Sequence, residues 1–495
     1  MKRLKGKITL INILANLFLQ LANILTWFII PKIILSYFGS NVNGLVSSIT
    51  QFLSYIGLIE GGLTGVVTAS LYKPLIDHNE DKISSILKTS SNFYKKIGLI
   101  FVIYSLILSI IYPIFFKDFS YLYIFSLVLI LSFSLLIQYM YSLTLRNLLI
   151  ADKKGYIVSL TQSLILILTI ILSFISVNIY PNIHILKLIS GLLFILQPVV
   201  FGRYINKNYK INKEAKEDKK LLKSRWNGFA INIAAFIHNC TDITLLTIFT
   251  NLVTVSIYSV YAIVTNGLRA IVNAIANAIT PTIGLSYAEG NNEKTNENMD
   301  IYEYIMFIVV FFLFTLAGLL ITPFVIIYTN GINDANYNRV VFGVLIVIAE
   351  AIYLIKTPHL NLAYSANKFK ELTKPAFIEA FINIIVSLLL VKQYGLIGVA
   401  IGTIIAMTYR LIKQVAFTKE LIDRKQAIFY KKLILFIIPT IIGIGLCLLL
   451  PIKEYTILNW LIHTIIYSVI IGILYLITSI IFFKKELRFI KNYRK

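Results

Sequence analysis

The sequence predicts an all-α, polytopic membrane protein with about fourteen transmembrane helices. Of its 495 residues, 58% are hydrophobic and 14% are charged, and the mean hydropathy is +0.80, whereas soluble proteins carry roughly 25% charged residues. The apolar residues form runs of about 20, the length of an α-helix that crosses roughly 30 Å of hydrocarbon. A water-soluble fold and a β-barrel, which needs short alternating strands, are therefore excluded.

Fourteen apolar runs mark the predicted spans when hydropathy is averaged over about 19 residues. The first run is expected to be a retained span because no small-x-small cleavage site follows it. Cys240 and Cys447 both fall inside runs, so neither a disulfide framework nor a metal site is expected. The predicted spans are 8–30, 44–70, 93–115, 120–144, 155–177, 183–203, 226–249, 254–283, 302–327, 340–362, 375–391, 395–416, 430–451 and 456–483.

The basic residues predict the orientation of the chain. There are 46 Lys and Arg against 23 Asp and Glu, which can suggest nucleic-acid binding, but they lie in short segments between the spans. Most occupy the set of alternate segments that includes both termini, so the positive-inside rule predicts cytoplasmic termini in a cytoplasmic membrane and no nucleic-acid partner. The opposite set holds only Lys32, Lys117, Lys187, Arg339, Lys392 and Lys453.

The segments between spans argue for a transporter and against an enzyme. None is long enough to fold as a domain of about 50 residues, and phosphate-loop, nucleophile-elbow and zinc-protease motifs do not occur. No cofactor is expected. Energy must come from an ion gradient, the membrane potential or the substrate gradient.

A repeat of about 215 residues divides the chain. Tyr37–Leu45 corresponds to Phe249–Tyr258, and Ala151–Lys154 corresponds to Ala366–Phe369. Each copy holds six spans, and an even number predicts parallel repeats about a pseudo-two-fold axis along the membrane normal. A C-terminal hairpin outside the repeat either lines a groove for a lipid tail or enlarges the packing. The predicted organisation is an N-lobe at 1–206, a basic hinge linker at 207–225, a C-lobe at 226–420 and the hairpin with a basic tail at 421–495.

Six motifs, in their order and spacing, resemble the Wzx-type polysaccharide flippases over roughly residues 8–420. This resemblance implies membership of the MOP exporter superfamily, which also includes MATE-type drug exporters and lipid II flippases. The motifs are Leu35–Gly44, Tyr55–Gly62 and Leu145–Lys154 in the first half, and Ala366–Lys370, Ile378–Ile384 and Tyr394–Ile404 in the second.

Asp242, Glu379, Asn383 and Thr403 form a predicted cation site. His238 lies four residues before Asp242, and Glu379 lies four before Asn383, so each pair shares a helix face. Carboxylate, amide and hydroxyl oxygens suit a hard cation such as sodium, and a proton is the alternative. The set resembles the cation site of lipid II flippases between spans seven, eleven and twelve. In the alternative interpretation, the carboxylates are only hydrogen-bonded or paired inside the lobe.

Arg269 is the predicted ligand for pyrophosphate, because a guanidinium binds phosphate bidentately. Asn266, Asn273 and Asn277, on nearby turns, are expected to bind sugar hydroxyls. Alternatively, Arg269 only neutralises Glu60 or Glu350.

Other polar residues at bilayer depth complete the predicted substrate site. Intramembrane charges are costly, which makes Glu60 and Lys356 candidates; Glu350 is six residues from Lys356, on the opposite face of a helix. Four histidines, at 78, 184, 359 and 463, are expected in loops or at interfaces without a special role. Span one carries a polar stripe that either binds sugars or joins helices: Asn12, Asn16, Gln20 and Asn23.

These residues and the resemblance together predict a flippase that moves polyprenyl-pyrophosphate-linked oligosaccharide to the outer leaflet by cation-coupled alternating access. The expected partners are this substrate, membrane lipids, and a polysaccharide polymerase with its chain-length machinery; the chain is expected to be a monomer. A MATE-type cation antiporter is one alternative, although Arg269 would repel cations. A membrane polymerase or ligase is another, although the longest outer segment has only about a dozen residues.

Overall fold

The computed structural model describes residues 2–60, 62–212, 214–218, 236 and 240–492, and side chains from 8 to 489 within these ranges. In this part of the chain the regular structure is helical and contains no strand. The chain forms two compact units, an N-unit (Met1–Ile233) and a C-unit (Ala234–Lys495).

The N-unit consists of nine α-helices and one π-helical turn in its described residues. Polar side chains begin several of them: Asn79, Ser120 and Asn182 each accept a hydrogen bond from a backbone N–H in the following turn. The helices are α1 (Lys2–Ser54), α2 (Gly57–Glu60), α3 (Leu63–Ile76), α4 (Glu80–Phe115), α5 (Tyr121–Ile137), the π turn (Gln138–Ser142), α6 (Leu143–Ala151), α7 (Gly155–Ile179), α8 (Ile183–Leu193) and α9 (Leu196–Asn208).

The C-unit continues with ten helices in its described residues. Asn251, Asn291 and Thr456 are the capping residues at three of their starts. The helices are α10 (Cys240–Phe249), α11 (Leu252–Ala288), α12 (Asn292–Tyr328), α13 (Val340–Ile355), α14 (Thr357–Ser365), α15 (Phe369–Tyr394), α16 (Leu396–Ile422), α17 (Gln426–Leu448), α18 (Ile457–Phe482) and α19 (Lys484–Asn492).

Twelve helical segments of the described chain are long and apolar enough to cross a membrane, which confirms the polytopic all-α fold. Fourteen spans were predicted, and two features account for the difference. Helix α1 extends over 53 residues and contains the first predicted span and the beginning of the second, so that the two count as one continuous segment. Gly39 separates them with a non-helical backbone (φ 81°, ψ 179°). The seventh predicted span, 226–249, falls largely outside the described residues and is represented by the short apolar α10.

The order of helices recurs at the predicted spacing. The starts of α4 and α12, of α7 and α15, and of α8 and α16 are 212 to 214 residues apart. The turn between the fourth and fifth spans has the same backbone in both units: Lys153 (φ 59°) and Asn367 (φ 57°) are left-handed. The backbone N–H that follows each of them bonds a carbonyl five residues back. The pseudo-two-fold axis and the lobe boundaries stay predictions.

Residues 209–218, in the first half of the predicted linker, are attached to the N-unit. Asn92 of α4 donates to Glu217 at 2.6 Å, and Lys82 pairs with Asp218 at 2.8 Å. Tyr209 donates to Asp152 at 2.5 Å; partial burial and then this carboxylate raise the pKa of Tyr209. This stretch is therefore held against α4 and the α6–α7 turn, and residues 219–225 lie outside the described chain.

A buried charge cluster attaches the C-terminal hairpin, α17–α18, to the C-unit. Glu303 of α12 pairs with Arg424, which precedes α17, at 2.7 Å and with Lys432 of α17 at 3.1 Å. Asp300 pairs with the same two cations at 2.7 and 2.6 Å. His359 lies 3.4 Å from Glu303 and is 1% exposed, so the prediction of a loop or interfacial position is wrong for this histidine.

Two glycines bring α15 and α16 into close contact. Gly398 and Gly402 of α16 lie four residues apart and face Leu390 and Ser387 of α15. A Cβ at Gly398 would lie 2.6 Å from the carbonyl carbon and oxygen of Leu390. Small residues at this spacing let helix backbones approach closely inside a membrane.

We expect Gly398→Ala to destabilise the C-unit, because its Cβ forces α15 and α16 apart. Overpacking of this kind costs about 1–3 kcal/mol. The measurement is the thermal unfolding temperature of the detergent-solubilised chain. Gly445→Ala in α17, where a Cβ meets nothing within 4 Å, is the control and is expected to leave that temperature unchanged. Equal unfolding temperatures for both variants would contradict the close-approach argument.

Candidate functional site

A carboxylate and two hydroxyls meet in the core of the C-unit. Asp242 of α10 is 9% exposed. Thr403 of α16 donates to its carboxylate, with 3.2 Å to each oxygen, and Tyr258 of α11 donates at 2.9 Å. Three helices therefore converge on one acidic group.

An amide extends this hydrogen-bond network. Asn383 of α15 donates to the Thr403 hydroxyl at 3.4 Å, and Ser387 donates to the side-chain oxygen Oδ1 of Asn383 at 3.1 Å. Both Asn383 and Ser387 are fully buried. The close approach of α15 and α16 thus places Asn383 beside Thr403, and three of the four predicted cation ligands lie together.

The fourth predicted ligand, Glu379, lies one turn away and contacts a different group. Its Oε2 is 3.6 Å from Nε of Arg410 on α16, and both side chains are buried. Glu379 thus forms an ion pair with Arg410, and its place in the cation site stays a prediction. His238, the other residue on the Asp242 face, lies outside the described residues.

Arg410 carries unused hydrogen-bond donors although it is only 4% exposed. Its Nε and Nη1 have no hydrogen-bond partner among the described residues, and its contact with Glu379 is long. Arg410 lies inside the predicted span 395–416 but was not among the predicted site residues. Its spacing of seven residues from Thr403, two helical turns on one face, is the signal that identifies it.

Arg269 pairs with Glu350, the structural alternative that the sequence left open. Arg269 Nε donates to Glu350 Oε2 at 2.8 Å, and its Nη2 bonds Oε1. Lys356 does not join this pair, as its position on the opposite face of the helix predicted. Its ammonium lies 3.7 Å from the centre of the Tyr353 ring, and the Arg269 guanidinium lies 5.1 Å from the same ring.

Lys356 is a buried cation without a carboxylate partner in the described chain. It is 4% exposed, and no described carboxylate lies within the 4.0 Å limit of an ion pair. The attraction to the face of Tyr353 offsets part of the desolvation. The Lys356 and Arg410 side chains therefore present N–H donors that protein acceptors do not use fully.

The predicted sugar-binding amides of α11 are not used inside the C-unit. Asn266 and Asn277 are exposed and Asn273 is half-buried, and none of the three has a hydrogen-bond partner among the described residues. Together with Arg269 they follow one face of α11 at helical spacing. Within the described part of the chain, the three amides remain available for hydrogen bonds.

The polar stripe of α1 divides into two parts. Asn12 joins helices: it donates to the Lys153 carbonyl at 2.8 Å and accepts from the Tyr156 N–H at 2.6 Å. Asn16 and Gln20 are exposed and Asn23 is half-buried. These three have no hydrogen-bond partner in the described chain.

Glu60 belongs to a hydrogen-bond network inside the N-unit. It accepts from Thr64, while Tyr94 bonds Thr64 at 2.8 Å and Asn147 donates to Tyr94 at 3.2 Å. The network lies where the second span is interrupted between α2 and α3 and where the π turn follows α5. Glu60 thus belongs to a network of hydroxyl groups in its own unit.

The fold is shared with solved structures of lipid and drug transporters. "Lipid II flippase MurJ, inward closed conformation" matches with a TM-score of 0.72 at 17% identity, covering 97% of this chain and 100% of that chain. An inward-facing multidrug resistance MATE family transporter of the MOP superfamily gives 0.61 at 14% identity, covering 80% and 95%. The chain has the fold of MOP-superfamily transporters. A mutant of the Vibrio cholerae MATE transporter VcmN gives 0.59 at 12% identity, covering 86% and 99%.

Sequence comparison adds no closer assignment. No family model and no curated protein matches the chain. The likeness therefore shows a multi-pass membrane protein with this fold, and the Wzx-type resemblance stays a prediction.

We expect Arg269→Met to destabilise the C-unit by roughly 2–3 kcal/mol, because it leaves the Glu350 carboxylate largely buried and unpaired. The double variant Arg269→Met/Glu350→Met is expected to recover most of this loss, since both charges are then removed. Unfolding free energies of the wild type, both single variants and the double variant form the cycle. Additive effects would show that the two side chains do not interact.

Proposed function

We propose that this protein is a flippase for lipid-linked oligosaccharide. The observation that carries the proposal is the pair of buried cations, Lys356 and Arg410, whose N–H groups are not fully used by the described protein. A charged side chain at bilayer depth costs at least about 2.5–3.5 kcal/mol on insertion scales. An anionic substrate group that binds there offsets this cost.

A pyrophosphate is the anion that these cations suit. The free N–H groups of Arg410 accommodate phosphate oxygens in a fixed planar geometry, and the Lys356 ammonium adds a point charge. The uncovered amides of α11, Asn266, Asn273 and Asn277, then bind sugar hydroxyls beyond the phosphate. Glu379 keeps Arg410 in position, and Nη1 of Arg410 has no hydrogen-bond partner among the described residues.

Asp242 and its neighbours support cation coupling. Thr403, Tyr258 and Asn383 surround this carboxylate with hydroxyl and amide groups that can turn their oxygens toward a sodium ion. Protonation of Asp242 is the other route, because Thr403 and Tyr258 would then lose a charged acceptor. In either case binding changes the contacts between α10, α11 and α16, which is what a coupled transporter requires.

The extent of the structural match supports a lipid substrate over a drug. The lipid II flippase structure accounts for 97% of this chain, whereas the two MATE structures account for 80% and 86%. The part of this chain that the MATE structures do not cover is similar in length to the C-terminal hairpin segment, 421–495. Buried cations would moreover repel the organic cations that a multidrug antiporter exports.

The remaining parts of the proposal concern cellular context. We place the chain in the cytoplasmic membrane with both termini in the cytoplasm, on the basis of the positive-inside rule. The headgroup is taken up on the cytoplasmic side and released outside by alternating access, while the polyprenyl tail stays in lipid. The chain acts as a monomer and delivers its substrate to a polysaccharide polymerase with its chain-length machinery.

Arg410→Met is expected to lower transport of a fluorescent polyprenyl-pyrophosphate oligosaccharide by at least about tenfold, the equivalent of about 1.4 kcal/mol. The assay reconstitutes the chain in vesicles and follows exposure of the headgroup to an impermeant quencher. Lys413→Met is the matched control, because this lysine is exposed and one turn further along α16. It is expected to retain transport.

A second variant separates binding from folding. Arg410→Met/Glu379→Gln removes the carboxylate that the first variant leaves unpaired and is expected to fold normally, as checked by thermal unfolding, but not to transport. Normal transport by this folded double variant would reject the role of Arg410. Wild-type vesicles that translocate a cationic dye, but not the lipid, would favour the antiporter instead.

Asp242→Asn is expected to abolish stimulation of transport by an ion gradient, because the amide binds neither a sodium ion nor a proton as the carboxylate does. Transport is measured with imposed sodium, proton and, as control, potassium gradients. Thr403→Val is expected to weaken the stimulation, since it removes one oxygen ligand and keeps the side-chain shape. A wild-type protein that responds to neither the sodium nor the proton gradient would refute the coupling.

A further inference from the structure

A groove in the N-unit combines apolar walls with a single cation. It lies between α1, α5 and α8 and has a volume of about 300 Å³, the lower end of the range for ligand sites. Among the described residues that line it, Lys187 is the only charged side chain. The wall includes the apolar residues Leu53, Ile130, Leu131, Leu135 and Phe194 and the hydroxyl-bearing residues Thr50, Ser54, Ser134 and Ser190.

The start of α8 fixes the position of Lys187. Asn182 caps this helix by accepting from the His184 and Ile185 N–H groups. The His184 ring lies 2.9 Å from the Ser126 hydroxyl and 3.0 Å from the Tyr123 carbonyl, which attaches α8 to α5. Lys187 follows Ile183 by four residues, roughly 6 Å along the axis. The ammonium is therefore located near one end of a membrane span, close to the depth of lipid headgroups.

No protein group neutralises this ammonium in the described part of the chain. No described carboxylate lies within 4.0 Å of it, and no described acceptor forms a hydrogen bond with it. The side chain is nevertheless half-buried. The Thr50 and Ser134 hydroxyls of the same groove also have no hydrogen-bond partner among the described residues. The groove thus offers one cation and two free hydroxyls to an outside acceptor.

We propose that this groove binds one phosphate-bearing membrane lipid. The phosphate pairs with the Lys187 ammonium and accepts from hydroxyl groups of the groove, since phosphate oxygens are charged acceptors. The hydrocarbon chain lies along Ile130, Leu131 and Leu135 of α5, where it makes van der Waals contacts with these side chains. These apolar walls favour a lipid over a free phosphate ion, which would lose hydration without gaining apolar contact.

This site is independent of the proposed transport site. It is built entirely from residues of the N-unit, whereas Lys356, Arg410 and Asp242 belong to the C-unit. Failure of the experiment below would leave the flippase proposal untouched, and the reverse also holds.

The test counts lipids that remain bound to the purified full-length chain in detergent by native mass spectrometry. Delipidated protein is incubated with phosphatidylglycerol or with diacylglycerol of the same chains, which lacks the phosphate. Wild-type protein is expected to retain one phosphatidylglycerol and no diacylglycerol. Lys187→Met is expected to reduce this retention by at least about tenfold, as expected for the loss of a charged partner, and Lys187→Arg to preserve it.

Two further variants complete the design. Lys117→Met removes an exposed cation from another segment and is expected to behave as wild type. Leu131→Trp fills the groove without changing Lys187 and is expected to reduce retention as well, which tests the site even if Lys187→Met folds poorly in thermal unfolding.

Three outcomes would overturn the proposal. Equal lipid retention by the wild type and by a folded Lys187→Met variant would show that the Lys187 ammonium does not bind the retained lipid. Equal retention of phosphatidylglycerol and diacylglycerol would show that the groove does not recognise phosphate. Displacement of the lipid by inorganic phosphate at millimolar concentration would identify a free anion as the ligand instead.

Discussion

The cost of burying charge governs the arrangement of the C-unit. Around Glu303, two carboxylates form ion pairs with two cations at N–O distances of 2.6–3.1 Å. This cluster joins the hairpin α17–α18 to α12. In the group formed by Arg269, Lys356 and Arg410, the cations have fewer carboxylate partners, because only Arg269 has a carboxylate at hydrogen-bond distance. Buried pairs hold helices together, and donors left over between them are free to act on a substrate.

The Asp242 network depends on the packing of helix backbones. Its ligands come from α10, α11, α15 and α16, so its geometry follows from how closely these helices approach. Gly398 and Gly402 permit the contact of α15 with α16, and that contact brings Asn383 within reach of Thr403. Binding of a cation between these helices would therefore depend on their packing and would also change it. This links the stability of the C-unit to the coupling proposed for Asp242.

The N-unit satisfies its polar groups differently. Glu60 is bound by hydroxyls at a helix interruption and beside a π turn, features that often mark functional positions. Residues 209–212 and 214–218 are held against α4 and the α6–α7 turn by hydrogen bonds and an ion pair. Lys187 differs from Glu60 and from the 209–218 stretch, since its ammonium has neither a hydroxyl nor a carboxylate partner in the described chain.

By itself the sequence determined the membrane fold, the order of the helices and the repeat, because all three follow from the length and spacing of apolar runs. It also placed Asp242, Asn383 and Thr403 in one site, since helical spacing and the family resemblance agree there. Only the tertiary structure decided the partners of the charges: Arg269 with Glu350, Glu379 with Arg410, and His359 with Glu303. Hydropathy gives depth in the membrane but not the direction in which a side chain points. Pairing depends on that direction, which is why Arg410, although inside the predicted span 395–416, was not recognised as a site residue.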